Sequence, residues 1–268
     1  MSKNKTRELA LNFTSNTVWP FSKKTSITDL FAGTTDHHSH ILPGVDDGVE
    51  TMAEAQRILD TYGTLGIKEL WLTPHIMEDI PNTPEKLRTR FEELKTAYKG
   101  NIQLRLTAEY MIDNHLREVL NGINKNSPSK EYPQGERVEV LPIGKKGDHL
   151  LVETSYFNPP MRLKDTLKQI KSLGYFPLLA HPERYMYMDN DEYRELHDEG
   201  VRFQLNILSL AGSYGKAVKK RAEWLLKEGL YTVAGSDLHS EEAIEIITGC
   251  KLGKKESDEL SRLLQNRI

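Results

Sequence analysis

One cysteine, Cys250, occurs in the 268 residues. A single thiol excludes internal disulfides and any multi-cysteine zinc or iron–sulfur cluster. It also tests one thiolate chemistry, in which a Cys is followed six positions later by an Arg that grips phosphate. Six positions after Cys250 stands Glu256, so that chemistry is excluded and Cys250 reads as a packing residue. Excess charge is scarce too. Thirty-six Lys+Arg against thirty-nine Asp+Glu leave a net charge of −3, which argues against a general nucleic-acid binder. No apolar run approaches the roughly 18 residues that span a bilayer, so membrane insertion is not expected. The N-terminus, MSKNKTRELALNF, lacks the long apolar core and small-residue cleavage site of a secretory signal. A cytoplasmic location follows as the expectation.

What the chain does have is concentrated in Thr34–Gly48, TTDHHSHILPGVDDG, which packs three histidines and three aspartates around a break from strand to loop. Side chains alternate along a strand, so His38 and His40 are expected on one face with Asp36, and His37 on the other. Two imidazoles on one face begin a metal site; the case rests on what other strand ends bring.

Residues 1–32 read as an irregular or partly helical N-terminal segment carrying Trp19, Pro20, Phe21, Lys23 and Lys24, and 33–268 as one domain. From Gly33 onward short apolar runs alternate with helical patterns. Thr51 and Glu54 resemble a capping box, and Ala55, Ile58, Leu59 and Tyr62 form a helix face that Gly66 closes. Strand-like runs follow at 67–73, 102–108, 150–152, 176–180, 201–205 and 231–234. Helices are expected from Thr83-Pro84, around 116–120, 163–170, 190–199 and 218–226, and across 241–265. Residues 138–143 read as a short hairpin arm after a polar segment at 121–137. About seven strand-then-helix units favour an α/β fold with a parallel sheet, closed or nearly closed as a barrel; a doubly wound open sheet is the alternative.

The polar residues fall in telling places. His38 and His40, His75, Glu109, Glu153, His181, and Asp237 with His239 each stand at the downstream end of a run. In a β/α barrel those ends converge on the face where active sites lie. Eight such groups around one mouth would be starved of partners without cations to balance them. Ligation by imidazole and carboxylate without thiolate suits manganese, zinc or iron, and magnesium less well. Eight ligands suffice for two or three ions, and clustered divalent ions serve phosphoester hydrolysis. His37, His115, His149 and His197 stand outside the pattern.

Taken in order, D-x-H-S-H-I-L-P-G-x-D-D-G, T-P-H, A-E-Y, E-T-S-Y, A-H-P-E-R and G-S-D-x-H resemble the bacterial protein-tyrosine phosphatases of the PHP (polymerase and histidinol phosphatase) superfamily. The similarity runs from Asp36 to about Leu264. It implies a distorted (β/α)7 barrel with a trinuclear metal centre at the C-terminal strand ends, manganese first among the candidates. On the same resemblance His38, His40, Asp237 and Glu109 hold one ion, Glu109, Glu153 and His181 a second, and His75, His239 and a further carboxylate, Glu153, the third. Arg184 faces the substrate phosphate, since a guanidinium grips two phosphate oxygens. Asp46 or Asp47 supports the ligands or assists the leaving group. The implied substrate is phosphotyrosine on the tail of a capsule or exopolysaccharide tyrosine kinase, with homo-oligomerisation open. Many relatives carry an arginine shortly after S-D-x-H; here SEEAIEIITG follows. A small phosphate ester such as histidinol phosphate, and a non-catalytic metal-bound kinase adaptor, are the rival readings.

Overall fold

Local sequence explains why the elements start and stop where they do. A computed structural model describes residues 24–123 and 138–268. Strand β1 (Thr25–Ser26), a 3₁₀ turn (Ile27–Leu30) and β2 (Thr35–Asp36) lead to helix α1 (Met52–Leu65). Thr51 Oγ1 accepts the Glu54 N–H at 3.2 Å, the forward half of the expected capping box. Ala55, Ile58, Leu59 and Tyr62 are the buried face of α1. Gly66 ends the helix at φ 93°, a left-handed conformation that glycine adopts without Cβ strain.

Next come β3 (Glu69–Leu72), β4 (His75–Ile76) and α2 (Pro84–Ala97). Thr83 caps α2, and Pro84 occupies its first turn, where a missing N–H costs nothing. β5 (Gln103–Leu106), β6 (Glu109–Met111) and α3 (Asn114–Ile123) follow. Beyond the segment 124–137 stand β7 (His149–Glu153), α4 (Leu163–Ser172), β8 (Phe176–Ala180), a 3₁₀ turn (Pro182–Arg184), α5 (Asn190–Asp198), β9 (Arg202–Asn206), α6 (Ile207–Ala211) and α7 (Gly215–Lys227). The chain continues through β10 (Tyr231–Gly235), α8 (Glu241–Gly249), β11 (Lys251–Leu252) and α9 (Lys254–Gln265).

Parallel pairing dominates this α/β fold. One sheet runs β10-β9-β8-β7-β6-β4 and a second β2-β3-β5, all in parallel register. The continuation of β2 is bonded on both sides. His37 N–H donates to Ala234 O at 3.2 Å, Asp237 N–H to His38 O at 2.8 Å and His40 N–H to Leu238 O at 2.9 Å, while Thr73 N–H donates to Ser39 O at 2.8 Å. Trp71, Leu151, Leu178, Ala180 and Val233 form an apolar cluster of strand residues, and a larger cluster packs strands against helices.

Four differences from the sequence reading have physical causes. The run 67–73 stops at Leu72, and His75–Ile76 pairs separately with β6, because Pro74 between them has no N–H to give a ladder. The hairpin arm at 138–143 does not form. A single antiparallel bridge joins Ile143 to His149, since Tyr110 OH accepts the Leu141 N–H and Thr107 Oγ1 donates to Leu141 O. Within the supposed N-terminal segment, Ile27 and Phe31 are buried in the main core and β1 pairs with β11. Asp36 turns away from the histidine pair: its Oδ1 accepts the N–H of His38 at 3.1 Å and of Ser236 at 2.9 Å, tying two strand ends together. Trp19, Pro20, Phe21 and Lys23, and most of the polar segment at 121–137, lie outside the described residues.

Candidate metal centre

Parallel strands point their carboxyl ends the same way, so residues distant in sequence meet at one rim. Three groups of donor atoms gather there: His38, Glu109, His181 and Asp237; His40, Asp47, His75 and His239; and His75, Glu109 and Glu153. All eight histidines and carboxylates expected at strand ends are among them. Asp47 is the addition.

Hydrogen bonds set the orientation of the imidazoles. His38 Nδ1 lies 2.9 Å from Gln204 Oε1, and His40 Nδ1 2.8 Å from Asp46 Oδ2. His239 Nδ1 is 2.9 Å from the Asp237 carbonyl oxygen, and His181 Nδ1 3.4 Å from Tyr185 OH. Tyr185 OH donates its own proton to Ala180 O, so it accepts from His181. In these four rings the partners assign a proton to Nδ1 and leave Nε2 facing the centre. An acceptor behind each ring is the usual support of a metal-binding histidine. His75 is turned the other way: its Nδ1 lies 3.2 Å from Glu153 Oε1 and 3.3 Å from Glu109 Oε2, yet makes no hydrogen bond.

Donor atoms about 2.1 Å from a shared ion stand roughly 3–3.5 Å from one another. The spacings here match. His38 Nε2 is 3.1 Å from His40 Nε2, 3.2 Å from Glu109 Oε2 and 3.3 Å from Asp237 Oδ1. His181 Nε2 is 3.0 Å from Glu109 Oε1, and His239 Nε2 is 3.6 Å from Asp47 Oδ1. The set therefore fits divalent cations: buried nitrogen and oxygen donors from distant parts of the chain crowd together at ligand spacing.

Electrostatics tell the same story. Burial, reinforced by Glu109 and Asp237, drives the Glu153 carboxyl well above its usual range. Burial, with His40 beside it, drops His75 to about 4. Burial alone would raise Glu109, but His38, His181 and His40 around it hold it well below the ordinary value. Glu153 and His75 thus remain frustrated, and cations would relieve both.

Asp46 and Asp47 divide their work. Asp46 Oδ2 accepts from His40 Nδ1 and from the His75 N–H at 3.0 Å, while its Oδ1 accepts the Gly48 N–H at 3.1 Å. It holds ligands rather than joining them. Asp47 is largely exposed and faces His239 and His75, the latter at 3.5 Å.

Arg184 stands at the same mouth. Its Nη1 donates to Asp237 Oδ2 at 3.1 Å, and its guanidinium carbon is 3.9 Å from the Tyr156 ring centre and 4.2 Å from that of Tyr214. Glu183 beside it is buried, accepting the Asn206 N–H at 3.0 Å and the Tyr231 hydroxyl at 2.9 Å. Gln204, Tyr185, Tyr156, Tyr214 and Asn206 are the polar neighbours that sequence reasoning missed. Tyr156 and Tyr185 sit inside the E-T-S-Y and H-P-E-R-Y stretches, the one signal that could have marked them.

The family description "Capsular polysaccharide synthesis, CpsB/CapC" matches residues 34–245, a span that holds every residue of the three donor groups. The chain belongs to the CpsB/CapC family. It is 29% identical over 241 residues to the tyrosine-protein phosphatase CpsB of Streptococcus pneumoniae, covering 84% of this chain and 93% of that one. Against the tyrosine-protein phosphatase YwqE of Bacillus subtilis identity is 27% over 214 residues, covering 76% and 77%. A solved chain from the work on YwqE and S. pneumoniae CpsB, described as unique metal-dependent tyrosine phosphatases, superposes with a TM-score of 0.66. That match is at 22% identity and covers 87% of this chain and 96% of the other; it shows a shared CpsB/CapC fold. None of the helices among the described residues is long and apolar enough to cross a membrane.

Proposed function

We propose that this CpsB/CapC chain is a metal-dependent protein-tyrosine phosphatase acting in the cytoplasm on the phosphotyrosine tail of a capsule or exopolysaccharide tyrosine kinase. The observation that carries the reading is the orientation of the imidazoles: four rings with Nδ1 bonded outward and Nε2 turned toward clustered carboxylates. The bonds from the β2 continuation to both β3 and β10 support a distorted seven-stranded barrel as the frame.

In this reading His38, Glu109, His181 and Asp237 hold one ion, His40, Asp47, His75 and His239 a second, and His75, Glu109 and Glu153 a third where all three sites fill. Relative to the sequence expectation, His40 joins His75 and His239, His181 joins His38, Glu109 and Asp237, and Asp47 enters as a ligand. Manganese suits the mixed nitrogen and oxygen set, with iron, zinc and magnesium as alternatives. When bound, divalent ions supply positive charge for phosphoryl oxygens and acidify a water.

The rest falls to the chain. Arg184 gives Nη1 to Asp237, and its other N–H groups form no hydrogen bond among the described residues, so they are available to grip phosphate. Tyr156 and Tyr214 fix the plane of that guanidinium. The leaving tyrosine oxygen has a pKa of about 10, so its departure needs little acid help, and Asp46 is already committed to His40 and His75.

Phosphate release from a phosphotyrosyl peptide with Mn²⁺, measured beside elemental analysis of protein purified without chelator, tests the proposal. His38→Ala and His181→Ala variants as active as wild type would remove the metal mechanism. A higher kcat/KM on histidinol phosphate than on the peptide would favour a small-ester phosphatase instead.

A further inference from the structure

A buried carboxylate needs partners for both oxygens. Asp237 divides them. Its Oδ1 faces His38 Nε2 at 3.3 Å and His40 Nε2 at 3.5 Å, on the metal side. Its Oδ2 accepts from Arg184 Nη1 at 3.1 Å and from Asn206 Nδ2 at 2.7 Å. Asn206 ends β9 and is fully buried. Its orientation is fixed, because Oδ1 accepts the Leu208 N–H at 2.8 Å and caps α6. The amide can then turn only its N–H₂ toward Asp237. The same Nδ2 reaches Tyr214 OH at 3.3 Å, and the Tyr214 ring lies against the Arg184 guanidinium.

These contacts close a ring: Asn206 to Asp237, Asp237 to Arg184, Arg184 to Tyr214, and Tyr214 back to Asn206. On the other side Tyr156 stacks on Arg184 and donates its hydroxyl to Glu153 Oε2 at 3.3 Å. A guanidinium between two rings has its plane set and its side chain's rotational freedom already spent. We propose that Asn206 is a positioning residue. Through Asp237 and Tyr214 it aims Arg184 at the substrate phosphate and keeps the Asp237 carboxylate split between the metal side and the phosphate side. The inference rests on the roles given above to Asp237 and Arg184.

Asn206→Asp is the sharpest probe. It keeps the oxygen that caps α6 but sets an acceptor, in place of a donor, against Asp237 Oδ2. The full Mn²⁺-loaded chain is compared with this variant, with Tyr214→Leu, which removes the ring, and with Tyr214→Phe, which keeps it. Inorganic phosphate binding is followed by calorimetry, metal content by elemental analysis, and KM and kcat with p-nitrophenyl phosphate. Asn206→Asp and Tyr214→Leu are expected to weaken phosphate binding and raise KM about tenfold, with kcat falling less and metal content at saturating Mn²⁺ unchanged. Tyr214→Phe, which keeps the ring but loses the hydroxyl that Asn206 holds, is expected to raise KM and weaken phosphate binding by a smaller factor than Tyr214→Leu.

A merely structural role would instead lower the melting temperature and the active fraction, leaving KM and phosphate affinity untouched. That result overturns the proposal. Should Asn206→Asp fail to fold, Tyr214→Phe decides, and a KM and phosphate affinity equal to those of wild type sink it, since the Asn206 contact is then lost without effect. A wild type that neither binds phosphate nor turns over an ester removes the phosphatase reading and this inference together. A wild type that does both, beside variants that match it, removes this inference only.

Discussion

His38 Nε2 and His40 Nε2 face each other at 3.1 Å, with Nδ1 of each ring turned outward to Gln204 and Asp46. Two such nitrogens in a buried site need a proton or a metal ion between them, and the carboxylates of Glu109 and Asp237 beside them favour positive charge there. Chelation is therefore expected to lower the melting temperature and Mn²⁺ to restore it. Free Mn²⁺ at a hundredfold excess over its dissociation constant adds about 2.7 kcal/mol. His38→Ala should lose metal and at least about a hundredfold in activity, while thermal scans of the variant lose most of their response to Mn²⁺. An unchanged response would count against the centre.

The two neighbouring aspartates should separate cleanly. Asp47→Ala removes an exposed group facing His75 and His239, so metal content is expected to fall by one ion with little change in melting temperature. Asp46→Ala leaves the His40 ring and the His75 N–H without their acceptor. Loss of such an outer partner typically costs about 10–100-fold in metal affinity, here with a loss of stability as well. Metal titrations on the two variants check the contrast, and identical behaviour would refute it.

Gly235 shows how little room the centre has. A Cβ there would lie 2.7 Å from the His38 backbone nitrogen and overlap the His38 Cβ. Gly235→Ala is expected to destabilise the fold by roughly 1–3 kcal/mol, the usual cost of overpacking, and to displace His38 enough to lower metal content. Urea unfolding and elemental analysis measure both.

Glu183 gives a pH signature. Burial raises its carboxyl to about 7 in the folded chain, against about 4.3 when unfolded. The folded state then binds more protons than the unfolded between those values, so this group's contribution is complete below about 4.3 and is lost as pH rises through 7. Glu183→Gln keeps one oxygen to accept the Asn206 N–H and turns an N–H₂ donor toward the Tyr231 hydroxyl oxygen, without the charge. The melting temperature of the variant minus that of wild type should grow from pH 5 to pH 8. A flat difference would mean that Glu183 does not titrate in this window.

Much of the centre was readable because strand ends announce themselves. H-x-H and D-x-H spacings survive any register, and T-P-H, A-E-Y and A-H-P-E-R place a donor at the end of each run. Helices were equally plain where capping and periodicity agreed, as at Thr83-Pro84 and along Ala55–Tyr62. The neutral partners were hidden. Gln204 and Asn206 look like ordinary strand residues until β9 is laid beside β8 and β10, and only tertiary contact brings Tyr156 and Tyr214 onto Arg184. Apolar residues at 138–143 suggested pairing, yet side chains of Thr107 and Tyr110 took up the Leu141 backbone. Asp47 was ambiguous for a different reason: adjacent aspartates on a turn point in unrelated directions.

Cys250 packs partly buried beside the main core, just ahead of β11 and outside the three donor groups. With no thiolate at the reacting face, an alkylating agent or a pulse of peroxide aimed at sulfur would spare this signal-erasing step while silencing cysteine-dependent enzymes around it. Starvation for the divalent metal would do the reverse. The cell's nutritional supply, more than its redox state, would then decide how long the tyrosine phosphate persists.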